Sequence, residues 1–193
     1  MGRPKEFDPE EALEKAMQVF WARGYHDTSI RDLVEATGVN YYGLYGDFGN
    51  KHGLFLAALE RYRASVTQDL LKELRGDGPV LPAIRRLFAR LLKFAETDEG
   101  RRGCLMCNTA VELAPHDPAA AAAVQANMAQ LQEGFRAALE RAQAAGEIAE
   151  ERDAGRLAEF LAATAYSLGL LMRAGVGQAQ AKRHLETALS TLG

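Results

Sequence analysis

The chain is poor in cysteine: Cys104 and Cys107 are its only two and lie three positions apart, so the disulfide framework of a small secreted domain is excluded. No apolar run approaches the ~18 residues of a membrane-spanning helix. The first residues, Met1-Gly2-Arg3-Pro4-Lys5, are charged where a secretory leader is apolar. Histidine is scarce and scattered (His26, His52, His116, His184), and the sequence has no His-Glu-x-x-His, no glycine-rich phosphate loop and no evident nucleophile–base pairing. An enzyme is therefore not expected, nor is a cofactor. Basic charge is also lacking. The net charge is -3, and the first 52 residues hold six Lys/Arg against nine Asp/Glu. Any affinity for nucleic acid has to come from where the cations sit, not from their number. A soluble chain in a reducing, cytoplasmic setting is the expectation, with no membrane contact.

Alternating apolar patterns are missing too, whereas helical spacing recurs along nearly the whole chain, predicting an all-α fold. Asp8, Pro9, Glu10 and Glu11 form a strong helix start, after which Leu13, Ala16, Met17 and Phe20 share a face up to Gly24. A short helix follows from about Ser29 to Gly38, capped by Thr28 or Ser29, and another from about Tyr41 to Asp47. Asn50 starts a long helix over 51–75. Phe20, Ile30, Leu33, Val34, Val39, Leu44, Phe48, Leu54 and Phe55 are the expected core of this first unit. Gly76-Asp77-Gly78-Pro79 breaks the chain. Further helices are predicted at about 80–98, 103–114, 117–145, 153–173 and 178–191. The expected architecture is an N-terminal three-helix helix-turn-helix domain over 1–50 and a larger C-terminal helical bundle over 51–193, about nine helices in total, with helix 51–75 connecting the two.

Residues 28–45 have helix-turn-helix spacing, with Gly38 able to take the left-handed backbone angle that the tight turn needs. Apolar residues at 30, 33, 34, 39 and 44 would fix the angle between the two helices, leaving Asn40, Tyr41, Tyr42 and Gly43 to project outward. Two adjacent exposed tyrosines find partners in a DNA major groove, where hydroxyls bond phosphates or base edges and rings meet thymine methyls. The arm bearing Arg3 and Lys5 suits a narrow minor groove; a solvated basic terminus is the other reading.

The ordered set Phe20-Trp21-Ala22-Arg23-Gly24-Tyr25-His26-Asp27-Thr28-Ser29-Ile30-Arg31-Asp32-Leu33, then Gly38-Val39, then Leu44 to Phe55 resembles the DNA-binding domain of TetR/AcrR-type transcriptional regulators over roughly residues 7 to 62. The resemblance implies a homodimer bound to a double-stranded operator and released by a small-molecule effector. It also implies that Thr28, Tyr45 and Lys51 hold phosphates, with Ser29 at the same helix start, while Tyr41 and Tyr42 enter the groove. Tyr41 stands where the family often has Lys or Arg, and Gly46-Asp47 where it often has a His or an aromatic pair.

In the second half, Arg102-Gly103-Cys104-Leu105-Met106-Cys107 resembles a glycine-cysteine segment found in one branch of that family. Cys104, Cys107 and Val111 fall on one helix face, Asn108 and Glu112 on another. Asn108 and Glu112 would bond a ligand or each other, or make a structural hydrogen bond that pins their helix. The cysteines have three readings: packing, thiol-based redox or electrophile sensing, and metal binding, the last needing a further ligand for which only His116 is near. Phe88, Leu92, Phe94, Met106, Met128, Leu131, Phe135 and Tyr166 are the expected walls of an apolar effector pocket, with Cys107, Asn108 and Val111 beside them. Leu157, Phe160, Leu161, Thr164, Leu168 and Met172 on helix 153–173, with Leu185 and Leu189 on the last helix, are the expected dimer face; burial of these inside one chain would weaken that expectation.

Overall fold

A computed structural model describes residues 7–192 and is all-helical, with no strand among the described residues. Asp8 caps α1 (Pro9–Arg23), its carboxylate accepting the Glu10 N–H at 2.9 Å, and Ala16, Met17, Phe20 and Trp21 turn inward. Ser29 caps α2 (Ile30–Thr37) in a reciprocal box with Asp32, and Gly38, at φ 72°, ends it. The left-handed angle at Gly38 turns the chain into α3 (Tyr41–Phe48), which Asn40 caps by accepting the Gly43 N–H at 2.9 Å. Asn50 does the same for α4 (Lys51–Tyr62). Ile30, expected in the core, is 41% exposed: α2 is anchored by Leu33, which is fully buried, and its first residue points outward.

The long helix predicted over 51–75 is interrupted. After α4 comes one π-helical stretch, Arg63–Thr67, and then α5 (Gln68–Lys72). No proline or glycine marks this site; the extra residue per turn shifts the helix register beside a cavity. α6 (Val80–Phe94) stops four residues before its predicted end. Its last carbonyl, Phe94, accepts from the Thr97 N–H and hydroxyl, and Gly100 lies so close to that carbonyl that a Cβ would sit 1.9 Å from it. A short 3₁₀ turn, Gly100–Arg102, leads into α7 (Leu105–Glu112). α8 (Pro118–Ala144), α9 (Ala154–Arg173) and α10 (Gln178–Leu189) complete the chain, with Asp117 and Asp153 as caps of the first two. Counting the interrupted helix once, the described residues hold nine α-helices.

Two apolar cores result. One joins α1–α4 to Leu105, Met106 and Leu113 of the α7 region and to Ala120 of α8. The other gathers Leu71, Ile84, Phe88, Phe135, Leu161, Leu168 and Leu185 from α5, α6, α8, α9 and α10. Tyr166 packs against both. Helix α7 thus belongs to the N-terminal core although it lies far along the chain.

Candidate DNA-binding helix and effector cavity

Helix α3 presents Tyr42 at 85% and Tyr41 at 50% exposure, while Leu44 anchors its inner face. Asn40 is exposed but uses its side-chain oxygen as the helix cap. Gly43 turns inward, where a Cβ would meet Val39 at 2.7 Å. Tyr41 stands edge-on to Tyr45, ring centroids 4.6 Å apart. Tyr45 is half-buried; its hydroxyl is buried without a hydrogen-bond partner, and burial pushes its pKa up. Lys51, at the first turn of α4, lies 4.4 Å from the Tyr25 ring centroid.

Thr28 departs from the sequence expectation. It is fully buried and its hydroxyl donates to the Gly24 carbonyl at 2.6 Å, so the side chain is a structural tie and not a phosphate ligand. Ser29 is exposed but engaged with Asp32. The expected contacts Arg3 and Lys5 lie outside the described residues.

The helix-turn-helix is fastened to the bundle by polar contacts that sequence reasoning missed. Glu112, at the end of α7, accepts the backbone N–H groups of Tyr25 at 3.0 Å and His26 at 2.7 Å. These lie in the turn before α2. Gly24 makes room for the carboxylate, since a Cβ there would come within 2.6 Å of it, and its φ of 88° already disfavours any other residue. Trp21 donates through Nε1 to the Gly103 carbonyl at 3.0 Å, and His52 pairs with Asp117 at 2.5 Å. Asn108 donates to the Arg102 carbonyl at 3.0 Å. Of the readings open for Asn108 and Glu112, both side chains take the structural one.

Beside this junction is a cavity of about 1020 Å³. Its walls are Trp21 from α1, Tyr62, Val66 and Thr67 around the π-helical stretch, Leu91 and Phe94 from α6, Cys104 just before α7, Asn127 and Leu131 from α8, and Tyr166, Gly169 and Met172 from α9. The apolar wall carries one polar strip. Thr67 donates to the Asn127 side-chain oxygen at 2.7 Å, and the Asn127 amide donates to the Tyr166 hydroxyl at 2.9 Å. Charged side chains, among them Arg90, Lys93, Glu14 and Glu99, line it as well.

Of the predicted pocket residues, Leu131 and Tyr166 line this cavity, as does Phe94. Phe88 and Phe135 stack on each other in the bundle core, and Leu92 and Met128 pack against that core. Met106 and Cys107 are buried, and Val111 is 73% exposed, on the outer side of α7. Asn127 carried a usable signal: it interrupts the buried face formed by Ala120, Val124 and Leu131 on α8. Trp21 and Tyr62 carried none, because they sit in segments whose apolar residues all read as core.

The predicted dimer face is mostly internal. Leu161, Thr164, Leu168, Leu185 and Leu189 are buried within the chain, and Leu157 and Met172 pack against the same core. Phe160 alone among the predicted set is exposed, and Leu170, not predicted, joins it at 55% exposure on the outer side of α9. Among the described residues no group of three or more His, Cys, Asp or Glu side chains could hold a metal, and no helix is long and apolar enough to cross a membrane.

Comparison with known proteins agrees with this architecture. Residues 12–58 match the family model described as bacterial regulatory proteins, tetR family, and residues 80–189 match the tetracyclin repressor-like C-terminal domain. The chain is 33% identical over 193 residues, the full length of both, to the uncharacterized HTH-type transcriptional regulator YezE of Bacillus subtilis. It is 36% identical over 178 residues, 90% of this chain and 83% of the other, to the HTH-type transcriptional repressor ComR of Escherichia coli. Among solved structures, a cysteine mutant of the TetR family transcriptional regulator CifR complexed with 26bp double-strand operator DNA superposes with a TM-score of 0.88 at 31% identity, covering 100% of both chains. With both halves matched by family models and the whole length by relatives, the chain belongs to the TetR family of DNA-binding transcriptional regulators.

Proposed function

We propose that the protein is a cytoplasmic homodimeric repressor that holds a palindromic operator through α3 and releases it when a small molecule occupies the cavity among α1, α4, α6, α8 and α9. Residues 1–50 act as the reader and residues 51–193 as the effector-binding and dimerisation part. The observation that carries the reading is Tyr42, a large aromatic held almost fully in solvent on a helix whose other face is locked into a core. A major groove gives such a ring and hydroxyl their partners. Tyr45 adds support: its buried hydroxyl has no partner, a state that costs about 1–3 kcal/mol, and an operator phosphate would supply one. Lys51 stands at the start of α4, where an ammonium and a helix N-terminus both favour phosphate.

One reading helix reaches too few bases for specific binding, so two copies are needed, about 34–36 Å apart on one face of B-DNA. Phe160 and Leu170, both exposed on α9, are the side chains available to bury against a second copy. The effector is expected to be largely apolar with an acceptor oxygen. The Asn127 amide donates to the Tyr166 oxygen, which leaves the Tyr166 proton to be given to a ligand.

Selection of duplexes from a random pool tests the operator reading. Enrichment of a palindrome with half-sites one helical turn apart is expected; recovery of no preferred sequence at low salt refutes it. Affinity for the selected duplex with and without a panel of lipophilic carbonyl compounds tests the release. If no member of the panel changes the affinity, the protein binds constitutively and the effector reading fails.

A further inference from the structure

We propose that Cys104 and Cys107 form a dithiol–disulfide switch, in which a lipophilic organic hydroperoxide entering the cavity oxidises Cys104 and Cys107 resolves it into an intrachain disulfide. The inference rests on the reading of the cavity as the effector site and gives that site a covalent chemistry.

The two cysteines are a Cys-x-x-Cys placed at a helix start. Cys104 is the residue before α7, with extended backbone angles of φ -108° and ψ 125°, and its side chain faces the cavity. Cys107 lies one turn on, buried, its sulfur 3.3 Å from the Tyr166 carbonyl oxygen. The Tyr62 hydroxyl donates to the Cys104 sulfur at 3.6 Å. A sulfur that faces a cavity at a helix N-terminus and receives donors is built to carry negative charge, unlike a cysteine that only fills space. The neighbouring Cys107 thiol above all, with Tyr62 and the N–H groups of Cys107 and Met106, brings the Cys104 pKa down to about 7, while hydrogen bonding to Cys104 and burial push that of Cys107 up. The pair therefore divides into a nucleophile and a protonated resolving thiol.

The oxidant class follows from the walls. Trp21, Tyr62, Phe94 and Leu131 line the cavity with Cys104, so a charged peptide disulfide would have to shed hydration against these walls to reach the sulfur. An alkyl or aryl hydroperoxide pays no such penalty. In the first step the Cys104 sulfur attacks the terminal peroxide oxygen. The O–O bond breaks, the thiol becomes a sulfenic acid and the alcohol ROH leaves with the proton. In the second, the Cys107 sulfur attacks the sulfenic sulfur, the S–S bond forms and water leaves.

Closing the bond needs the two Cβ atoms about 3.5–4.5 Å apart and the two sulfurs at covalent distance. Cys104 can be drawn in because it precedes the helix. It now packs flat on Gly169 of α9, where a Cβ would lie 2.6 Å from its own, and follows Gly103, whose carbonyl holds Trp21 of α1. Drawing Cys104 toward Cys107 disturbs contacts with both α9 and the helix-turn-helix.

The test treats the reduced full-length protein with cumene hydroperoxide and follows intact mass, peptide mapping and affinity for the duplex selected by the reduced protein. The expected result is a loss of about 2 Da with residues 104 and 107 bridged within one chain. Binding should weaken at least about tenfold and recover on thiol reduction. Cys104→Ser should lose no thiol, and Cys107→Ser should stop at a sulfenic acid that dimedone traps, both with unchanged circular dichroism. No mass loss, a bridge between chains, or oxidation of Cys104→Ser at the wild-type rate overturns the proposal, as does an intrachain bridge that leaves DNA affinity within about twofold. The mass readout needs no DNA. Failure of the reduced protein to select any duplex sinks the operator reading instead.

Discussion

Replacing Glu112 by alanine removes the acceptor shared by the Tyr25 and His26 N–H groups, which lie 3.0 and 2.7 Å from its oxygens. Hydrogen bonds to a charged group contribute about 1.5–3 kcal/mol each when water is kept away. Tyr25 N–H is part-buried and loses most of that; His26 N–H is exposed, water replaces the carboxylate, and the loss is about 0.5 kcal/mol. The expected destabilisation is about 2–3 kcal/mol. In urea, with a slope of about 1–3 kcal/mol per molar, this lowers the midpoint by roughly 1 M at unchanged slope. Trp21 is the sole tryptophan and its indole bonds Gly103 across the same junction, so its fluorescence reports the docked state directly. Melts are compared at one protein concentration, because a dimer's stability depends on it. Glu112→Gln keeps one acceptor oxygen but presents an amide to the second N–H, and should recover about half the loss. A Glu112→Ala midpoint within about 0.5 kcal/mol of the parent would refute the claim that this carboxylate fastens the helix-turn-helix to the bundle.

Tyr42→Ala should leave the melt unchanged, since the ring is 85% exposed, yet cost about 1–3 kcal/mol of operator affinity in a gel-shift or anisotropy titration. Lys51→Ala should weaken binding to every duplex and lower the salt-dependence slope by about one. Phe160→Arg or Leu170→Arg should convert a dimer to a folded monomer by sedimentation, because both side chains are solvent-facing in the single chain. The Ser29 hydroxyl and N–H above all, with Arg23, hold the Asp32 pKa down to about 2. With the folded value below the unfolded one of about 4, its stabilisation is complete above pH ~4 and lost as pH falls through ~2. A carboxyl NMR titration of Asp32 should show that low midpoint, and Asp32→Asn should flatten the acid limb of the stability profile.

The starts of α1, α2 and α4 were readable because caps act locally: Asp8, Ser29 and Asn50 each accept from an N–H two or three residues on, whereas Asn40, read only as an outward-facing residue, caps α3 in the same way. The π-helical stretch at Arg63–Thr67 was not, because it contains no proline or glycine to mark it and its neighbours around the cavity come from distant segments. The cavity itself escaped for a related reason. Phe88 and Phe135 have the same apolar character as Trp21 and Tyr62, and only the tertiary arrangement decides which pair stacks in a core and which faces a void. On α9 the strongest apolar periodicity marked the face turned into its own chain. The weaker face, with Phe160 and Leu170, is the one left to solvent, and no periodicity argument ranks a second choice above a first.

Under the proposed release mechanism, the position of α7 would let a short-range event at the cavity count at the DNA. Its eight residues span about 12 Å as one rigid rod. At one end Gly103 and Cys104 touch Trp21, Tyr62 and Gly169; at the other Glu112 holds the turn that leads into α2. A rod fixed at both ends cannot shift at one without loading the other. Coupling energies between linked sites run to about 1–3 kcal/mol, and the two hydrogen bonds of Glu112 hold about that much. Breaking them alone would change the population of the docked reader by roughly tenfold to a hundredfold, so no larger rearrangement of the bundle is required for an occupied cavity to be felt at α3.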